Sequence, residues 1–405
     1  MSARRGSRPR LHVLGGGTWQ VPTIRLARTM GFEVLVTDLY ARRPGYACAD
    51  HHEIADIADA EATLDVARNY AVDGIVCDTT DVGVPTMAHV AEALGLSGLP
   101  VEIALRFTRK DLMREATNRV VPRPVVYGTA RDRRTARETA ARVGYPVMVK
   151  PVDGQSSRGV TLVRSEESLD AAYDDASSRS RSGLVIVEEV LHGTEVTVEG
   201  IMVDGEYRMT ALSDKTHFVD RPAVARRITY PADLSAAFTH EIERINESVV
   251  RALGMRDFGV THAEYFVNGS EIALVEIAAR GGGSRIHSDI VPAMSGLDVP
   301  RTYLSRVIGR PKVYRHRPRH GAATLEFLDL PAGRVEAIRG LRAARAIEGV
   351  HEIMLEFREG EEISRATDDR TRPGLMVLFG RDRRHLSEIS DAVHATLAIE
   401  MAAHV

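Results

Sequence analysis

Residues 262–280 read HAEYFVNGSEIALVEIAAR and decide the fold, because two apolar, strand-like runs flank the turn residues Asn268-Gly-Ser270. A turn of this composition between two such runs predicts a β-hairpin. We take the loop to be those three residues. The loop length then fixes which residues of the two strands face each other.

Two glutamates of this hairpin are expected to share one face of the sheet. A three-residue loop places Glu264 opposite Leu274, and Glu276 lies two residues further along the same strand. Opposing residues and residues two apart share a face, and Arg280 follows the same alternation. Two carboxylates on one face are costly unless a cation lies between them, and such ligands suit Mg²⁺ bound with nucleotide phosphates. A two-residue loop without a bulge would put the glutamates on opposite faces.

A second stretch offers a place for those phosphates. The strand Val147–Lys150 is followed by the loop Asp153-Gly-Gln-Ser-Ser-Arg-Gly159 and by another strand, Val160–Val163. Backbone N–H groups of a glycine-containing loop can approach phosphates closely, and a lysine at the strand end adds positive charge. The strand–loop–strand order differs from the strand-to-helix order of a P-loop.

Composition and charge exclude several classes of protein. The 405 residues include 53 Lys plus Arg and 56 Asp plus Glu, a formal charge of −3, which argues against nucleic-acid binding. The sequence has no apolar run of the roughly 18 residues that a membrane helix needs, and no signal segment, so we expect a cytoplasmic protein without a membrane partner. Two cysteines, Cys48 and Cys77, are too few for a disulfide framework or a thiolate zinc site.

Lysine is rare in this chain. Only four of the 53 basic residues are lysines, namely Lys110, Lys150, Lys215 and Lys312. Where arginine is used almost everywhere, a retained lysine indicates a position that needs a compact ammonium rather than a planar fork.

Four separated blocks of the sequence resemble the ATP-grasp superfamily, and within it the carboxylate–amine ligases such as the L-amino acid ligases. The blocks occur in the order typical of the superfamily, over roughly residues 11–320. They are Arg109-Lys-Asp111, Met148-Val-Lys-Pro151 with its glycine loop, Val187–Glu195, and Glu264 with Glu276-Ile-Ala-Ala-Arg280.

The resemblance implies an ATP site. Two lysines would neutralise phosphates, the glycine loop would cover the nucleotide, one strand end would hold the adenine, and a carboxylate would bind the ribose. The lysines would be Lys110 and Lys150, and the covering loop would contain Gly154, Ser156, Ser157 and Gly159. The adenine would be held by Glu188, Glu189 and Leu191, and the ribose by Glu195.

The resemblance also implies a metal and catalytic site. Glu264 and Glu276 correspond to the Mg²⁺ ligands, with Mn²⁺ as an alternative ion. Many members carry an asparagine ligand where this chain has Ala278, so one metal is either held more loosely or completed by water. Arg280 corresponds to the arginine that stabilises the transferring phosphate, and Lys215 resembles a mobile active-site lysine.

The substrate is expected near the glycines 281–283, whose N–H groups could face an oxyanion. Arg285 follows them and suits recognition of a carboxylate, and Arg226, Arg227 and His287 are further candidates. In the implied reaction a carboxylate attacks the γ-phosphate of ATP, and an amine then displaces phosphate from the acyl phosphate. Amino acids or peptides are the expected substrates.

The resemblance implies a mixed α/β and α+β protein with the ATP-grasp fold. The segment after residue 320 either completes the site or forms a homodimer contact. The expected units are a Rossmann-like pre-ATP-grasp unit at 1–118, a small ATP-grasp unit with the lid at 119–190, a large ATP-grasp unit at 191–320, and a C-terminal α+β segment at 321–405.

Three alternatives remain open. A bicarbonate-activating carboxylase or a purine-biosynthesis ligase would share the same blocks, and a nucleotide sensor would bind ATP without turnover. An NAD-dependent oxidoreductase is a rival because Gly15-Gly-Gly17 and Asp38 match part of the dinucleotide fingerprint. Gln20 takes the place of the third glycine of that fingerprint.

Overall fold

The computed structural model describes residues 8–155, 158–318, 320–368 and 371–402. The chain begins with a parallel sheet of strand order β3-β2-β1-β4, flanked by helices. Its two central strands are buried along almost their whole length because helices cover both faces. The strands are β1 (Arg10–Leu14), β2 (Glu33–Asp38), β3 (His51–Ile54) and β4 (Gly74–Cys77), and the helices are α1 (Val21–Thr29), α2 (Ala60–Asn69) and α3 (Val84–Leu94).

Two short helices, α4 (Val101–Thr108) and α5 (Lys110–Thr117), lead to a small antiparallel sheet of order β5-β8-β6-β7. The predicted strand–loop–strand arrangement is present, because β6 and β7 pair on either side of the glycine loop. This unit consists of β5 (Tyr127–Ala130), α6 (Arg133–Val143), β6 (Val147–Pro151), β7 (Thr161–Val163), α7 (Leu169–Arg179) and β8 (Val185–Glu189).

An eight-stranded sheet forms the centre of the molecule, with the order β13-β12-β9-β10-β11-β14-β18-β16. Its strands are β9 (Thr194–Val203), β10 (Glu206–Phe218), β11 (Arg221–Tyr230), β12 (Gly259–Asn268), β13 (Glu271–Ala278), β14 (Ala322–Phe327), β16 (Val350–Leu355) and β18 (Gly374–Gly380). A separate three-stranded sheet contains β15 (Gly333–Arg339), β17 (Glu362–Ile363) and β19 (Ala398–Met401). The remaining helices are α8 (Ala236–Leu253), α9 (Val291–Ser295), α10 (Val299–Val307), α11 (Leu341–Arg345) and α12 (Arg383–Thr396).

The segment after residue 320 shares this central sheet. Strand β14 pairs with β11, and β18 and β16 follow it at the sheet edge. The expected units 191–320 and 321–405 are thus joined by backbone hydrogen bonds. No helix among the described residues is both long and apolar enough to cross a membrane.

The hairpin formed by β12 and β13 differs from the predicted one in its loop. Asn268 pairs with Glu271, so the loop contains only Gly269 and Ser270. The predicted three-residue loop is therefore wrong. Gly269 adopts a left-handed backbone with φ of 60°, which glycine allows without strain.

A β-bulge keeps the two glutamates on one face of the sheet, which the shorter loop alone would not do. The register shifts between Glu264 and Tyr265, which leaves Val275 without an opposing residue. Glu264 then pairs directly with Glu276. The predicted shared face of the two glutamates is confirmed, because one extra residue in the bulge compensates for the missing loop residue.

Candidate active site

One face of the large sheet carries a row of polar side chains from four neighbouring strands. Glu276 on β13 faces Glu264 on β12, and Glu264 faces Thr197 on β9. On the other side of β9, Lys215 on β10 faces Glu195. The register brings together side chains that lie up to about 80 positions apart in the sequence.

Lys215 lies between two carboxylates on this face. Its Nζ is 2.6 Å from Oε1 of Glu264 and also forms an ion pair with Glu195. Burial alone would lower the pKa of Lys215, but Glu264 and Glu195 raise it. Burial would likewise raise the pKa of Glu264, but Lys215 and His262 hold it well below its usual range. The ion pairs therefore favour the charged forms of Lys215 and Glu264, against the effect of burial.

Lys110 occupies the equivalent position beside the other hairpin glutamate. It is the first residue of α5, and its Nζ lies 3.0 Å from Oε2 of Glu276 and 3.0 Å from the carbonyl oxygen of Gly154. Burial would lower the pKa of Lys110, whereas Glu276 raises it. Each of the two hairpin glutamates therefore has one lysine ammonium as its partner.

Lys150, at the end of β6, is held by the strand-end glutamate of β8. Its Nζ is 2.7 Å from Oε2 of Glu188, and Oε1 of Glu188 accepts a 2.8 Å hydrogen bond from Nε of Arg114. Burial would raise the pKa of Glu188, but Arg114 and Lys150 lower it to about 2. Both carboxylate oxygens of Glu188 are thus bound by cations, so its side chain has no free oxygen for the adenine contact that the sequence suggested.

Arg280 is bound by the loop that follows β4. Its Nε and one terminal nitrogen lie 2.9 and 3.1 Å from the two oxygens of Asp81. The backbone N–H of Asp81 donates to Oε1 of Gln155 in the glycine loop, at 2.8 Å. The N-terminal unit therefore contacts both the hairpin arginine and the expected lid.

A buried polar pair lies next to Glu264 on the same face of the sheet. Glu199 is 2% exposed, accepts hydrogen bonds from Nδ1 of His262 and, at 3.3 Å, from the backbone N–H of Gly282. Burial would lower the pKa of His262, but Glu199 raises it to about 9. The imidazolium also lies 3.7 Å from Glu264. Glu199 shares the face of Glu195 and Thr197, because side chains two positions apart on β9 point the same way.

The glycines 281–283 lead into a strained turn. Ser284 and Arg285 both have positive φ, 50° and 73°, which non-glycine residues rarely adopt. The guanidinium of Arg285 is bound by both oxygens of Glu352 on β16, at 2.6 and 2.9 Å. The C-terminal segment therefore fixes the turn that follows Arg280.

A cavity of about 110 Å³ lies where these groups meet. Lys110, Lys150, Gln155, Glu264 and Glu276 are among the residues that line it. Gly154 and Gly159 are at the ends of the loop beside it. The predicted lid residues Ser156 and Ser157 lie outside the described residues.

The donor set fits a magnesium–nucleotide complex. Among the described residues no group of three or more His, Cys, Asp or Glu side chains is arranged to hold a metal by itself. Two carboxylates beside a phosphate site nevertheless suffice for Mg²⁺, which keeps several waters and takes further oxygens from the nucleotide. Glu264 and Glu276 are the residues that would hold it.

One candidate substrate residue, Arg227, lies elsewhere. Arg227 donates two hydrogen bonds to Oε2 of Glu326, at 2.6 and 3.0 Å. Its neighbour Ile228 pairs with Lys215 and shares the face of that lysine, so Arg227 lies on the opposite face of β11. Its expected role at the carboxylate is therefore wrong. Arg226 is exposed. His287 is buried, 3.9 Å from Asp78 of the N-terminal unit.

Sequence reasoning missed the roles of several residues at this site. Asp81 contacts Arg280, His262 contacts Glu264, and Gln155 contacts Asp81, yet the sequence assigned no role to any of the three. One signal could have found Asp81. It follows the carboxyl end of a parallel strand, which is where open α/β sheets place their ligands.

The comparisons with known proteins agree with this geometry. The ATP-grasp domain family matches residues 143–289, and the L-amino acid ligase C-terminal domain 2 family matches residues 326–402. A formate-dependent phosphoribosylglycinamide formyltransferase from Escherichia coli O1:K1 / APEC is 29% identical over 289 residues, covering 69% of this chain and 71% of that protein.

Two solved structures extend the similarity over nearly the whole chain. An L-amino acid ligase from Bacillus licheniformis has a TM-score of 0.80 at 20% identity and covers 98% of this chain and 99% of that one. An N5-carboxyaminoimidazole ribonucleotide synthetase from Thermotoga maritima has a TM-score of 0.72 at 20% identity and covers 97% and 100%. The chain thus contains an ATP-grasp domain and an L-amino acid ligase C-terminal domain 2, has the ATP-grasp fold over nearly its whole length, and is an ATP-dependent ligase.

Proposed function

We propose that this protein joins the carboxylate of one amino acid to the amine of another amino acid or peptide, through an acyl phosphate, with release of ADP and phosphate. The observation that carries the proposal is the arrangement of Lys110, Lys150, Lys215 and Arg280 around the Glu264–Glu276 pair. Such a set of cations around two carboxylates suits a triphosphate with a divalent ion.

In the proposed first step, a substrate carboxylate oxygen attacks the γ-phosphorus, and the bond from that phosphorus to the ADP oxygen breaks. Lys110 and Lys150 would neutralise the phosphates, and Mg²⁺ held by Glu264 and Glu276 would offset the charge that develops on their oxygens. Arg280, at the end of the hairpin, would stabilise the transferred group. Gly154 and Gly159 would allow the lid to approach the phosphates.

In the proposed second step, the amine nitrogen attacks the acyl carbon, phosphate leaves, and the nitrogen loses a proton. The backbone N–H groups of residues 283–285 belong to the strained turn and would stabilise the oxyanion, as successive N–H groups of such a turn can. No protein nucleophile is required. Cys77 is buried, and burial raises its pKa, which agrees with a reaction that does not use it.

Adenosine would lie where β8 passes into β9. The last ladder pair at this end of the small sheet joins Val147 and Glu189, so the backbone between Glu189 and Leu191 lies beyond the ladder and suits a nucleobase. Glu195 would accept hydrogen bonds from the ribose hydroxyls. Its carboxylate also forms ion pairs with Lys215 and His217.

The choice of amino acids over purine intermediates is supported by one comparison. The C-terminal segment matches the L-amino acid ligase C-terminal domain 2 family over residues 326–402. A purine-biosynthesis reaction is the second candidate, because the relatives that match in sequence are formyltransferases acting with formate.

The test is phosphate release from ATP with Mg²⁺ and pairs of amino acids. We expect release only when a carboxylate and an amine are both present, with one ADP formed for each amide bond. Release with formate and phosphoribosylglycinamide, but with no amino-acid pair, would support the second candidate. A thermal shift with NAD(P) and none with ATP-Mg²⁺ would contradict both.

The strained turn gives a prediction for substrate binding. Arg285→Ala should raise the KM for the carboxylate substrate at least about tenfold, because a charged hydrogen-bond pair that fixes the turn is lost, and should leave the KM for ATP unchanged. Glu352→Gln should likewise raise the KM for the carboxylate substrate and leave the KM for ATP unchanged, because Glu352 binds Arg285. Arg342→Ala, at an exposed position of α11, is the matched control. Unchanged kinetics in the first two variants would remove Arg285 from the site.

A further inference from the structure

A second cavity, of about 530 Å³, lies between the N-terminal unit and the C-terminal segment. Pro22 and Leu26 of α1, Pro292 of α9, His351 of β16 and Phe379 of β18 contribute to its walls. None of the residues around it lines the active-site cavity. Its volume lies in the range of small-molecule pockets, about 300–1,000 Å³.

A strongly basic stretch of the chain borders this cavity. Residues 310–320, RPKVYRHRPRH, contain five Arg or Lys, two His and no Asp or Glu. We call them the basic segment. Tyr314, Arg315 and His316 of this segment line the cavity. A concentration of one charge beside a pocket attracts ligands of the opposite charge.

The backbone of the basic segment is fixed where it meets the cavity. The N–H of Asp298 donates to the carbonyl of Tyr314 at 2.9 Å, and the N–H of His316 donates to the carbonyl of Gly296 at 2.8 Å. Arg315 forms a β-bridge with Leu297 between these two bonds. The guanidinium of Arg315 therefore projects from a backbone that needs no ordering on binding, which favours affinity.

The acidic residues of the cavity already have cationic partners. Asp289 lies 2.9 Å from Nε2 of His351, and Asp298 lies 3.0 Å from Nε of Arg301. Within the described part of the chain, Arg315 has no ion-pair partner. The charge that remains uncompensated at the cavity is therefore positive.

We propose that this cavity binds a small organic anion, with a carboxylate or phosphate group at Arg315 and an apolar body against Leu26, Pro292 and Phe379. The planar fork of arginine matches both kinds of anionic group. Proline, leucine and phenylalanine side chains supply the apolar surface that most ligand pockets use. This site shares no lining residue with the cavity at Lys110 and Lys150, and binding there needs no nucleotide.

Calorimetric titration of the whole protein without ATP tests the proposal with four probes. These are phenyl phosphate, benzoate, its neutral counterpart benzamide, and inorganic phosphate. We expect benzoate to bind at least about fivefold more tightly than benzamide, and phenyl phosphate more tightly than inorganic phosphate. Arg315→Ala should weaken both aromatic anions about tenfold, the usual effect of losing a charged hydrogen bond.

Two variants localise the binding. Arg317→Ala removes a charge from the same exposed segment outside the cavity and should leave both affinities within about twofold. Lys150→Ala impairs the proposed phosphate site of ATP and should also leave them unchanged. The proposal would be overturned if benzoate and benzamide bound equally well, or if the two phosphates did. It would also be overturned if Arg317→Ala lost as much affinity as Arg315→Ala, if Lys150→Ala lost affinity, or if no probe bound.

Discussion

Glu264→Gln is expected to lower kcat about a thousandfold, while the protein stays folded. The amide keeps the size of the side chain but removes one of the two negative charges that would hold the divalent ion. A metal ion that stabilises the transition state contributes several kcal/mol, and each 1.36 kcal/mol changes the rate tenfold. The measurement is ADP formation at saturating ATP over a range of Mg²⁺ concentrations.

The control for this variant lies on the same hairpin. Glu271→Gln makes the same chemical change at an exposed end of β13, where the nearest cation, Arg123, is 3.7 Å away. We expect its kcat to stay within about twofold, because exposed ion pairs contribute little. If Glu264→Gln kept full activity with an unchanged Mg²⁺ dependence, the proposed metal site would be wrong.

Glu188→Gln should produce the largest loss of stability. Glu188 is 1% exposed and lies between Arg114 and Lys150, so the variant leaves two buried cations without a carboxylate. Removing one partner of a buried ion pair costs about 3–5 kcal/mol. The free energy of unfolding in urea gives this value directly.

The neighbouring residue supplies the matched control. Glu189→Gln removes the same charge from a partly exposed pair with Arg123, and we expect a loss of roughly 1 kcal/mol or less. Equal losses of unfolding free energy in Glu188→Gln and Glu189→Gln would contradict the larger contribution to stability that we expect from the buried Glu188 ion pairs.

The Glu188 effect should depend on pH in a defined direction. The folded pKa is about 2 and the ordinary value is 4.5, so ionised Glu188 stabilises the folded state by about 3 kcal/mol above pH 4.5. This contribution is lost as the pH falls from 4.5 towards 2. The difference in stability between the natural protein and Glu188→Gln should therefore narrow below pH 4.5 and stay constant between pH 5 and 7.

Local patterns predicted much of the secondary structure. Asp132 caps the start of α6 and Gly144 follows its end, as their residue types indicate. The apolar spacing of α8 predicts its buried face, where Ile242, Ile245 and Val249 are fully covered. Such features depend only on neighbours in the sequence, so the sequence is sufficient to find them.

Features that depend on distant residues could not be found in this way. The bulge at Val275 adds one apolar residue to an apolar run, and no local pattern distinguishes it from a regular strand. Asp81 and Arg280 are 199 positions apart, and Glu352 lies 67 positions from Arg285. Only the assembled sheets bring these charges together. Arg285, which the sequence suggested for binding the substrate carboxylate, is bound by Glu352 in the folded chain.

The two lysine–glutamate contacts at the hairpin have a consequence for how ligands arrive. A divalent ion alone must displace an ammonium from Glu264 and another from Glu276, whereas a triphosphate attracts those same ammonium groups. Nucleotide and ion should therefore show positive heterotropic linkage, each raising the affinity for the other by an equal factor. Free Mg²⁺ should bind weakly without nucleotide, because the two lysines compete with it for the same carboxylates.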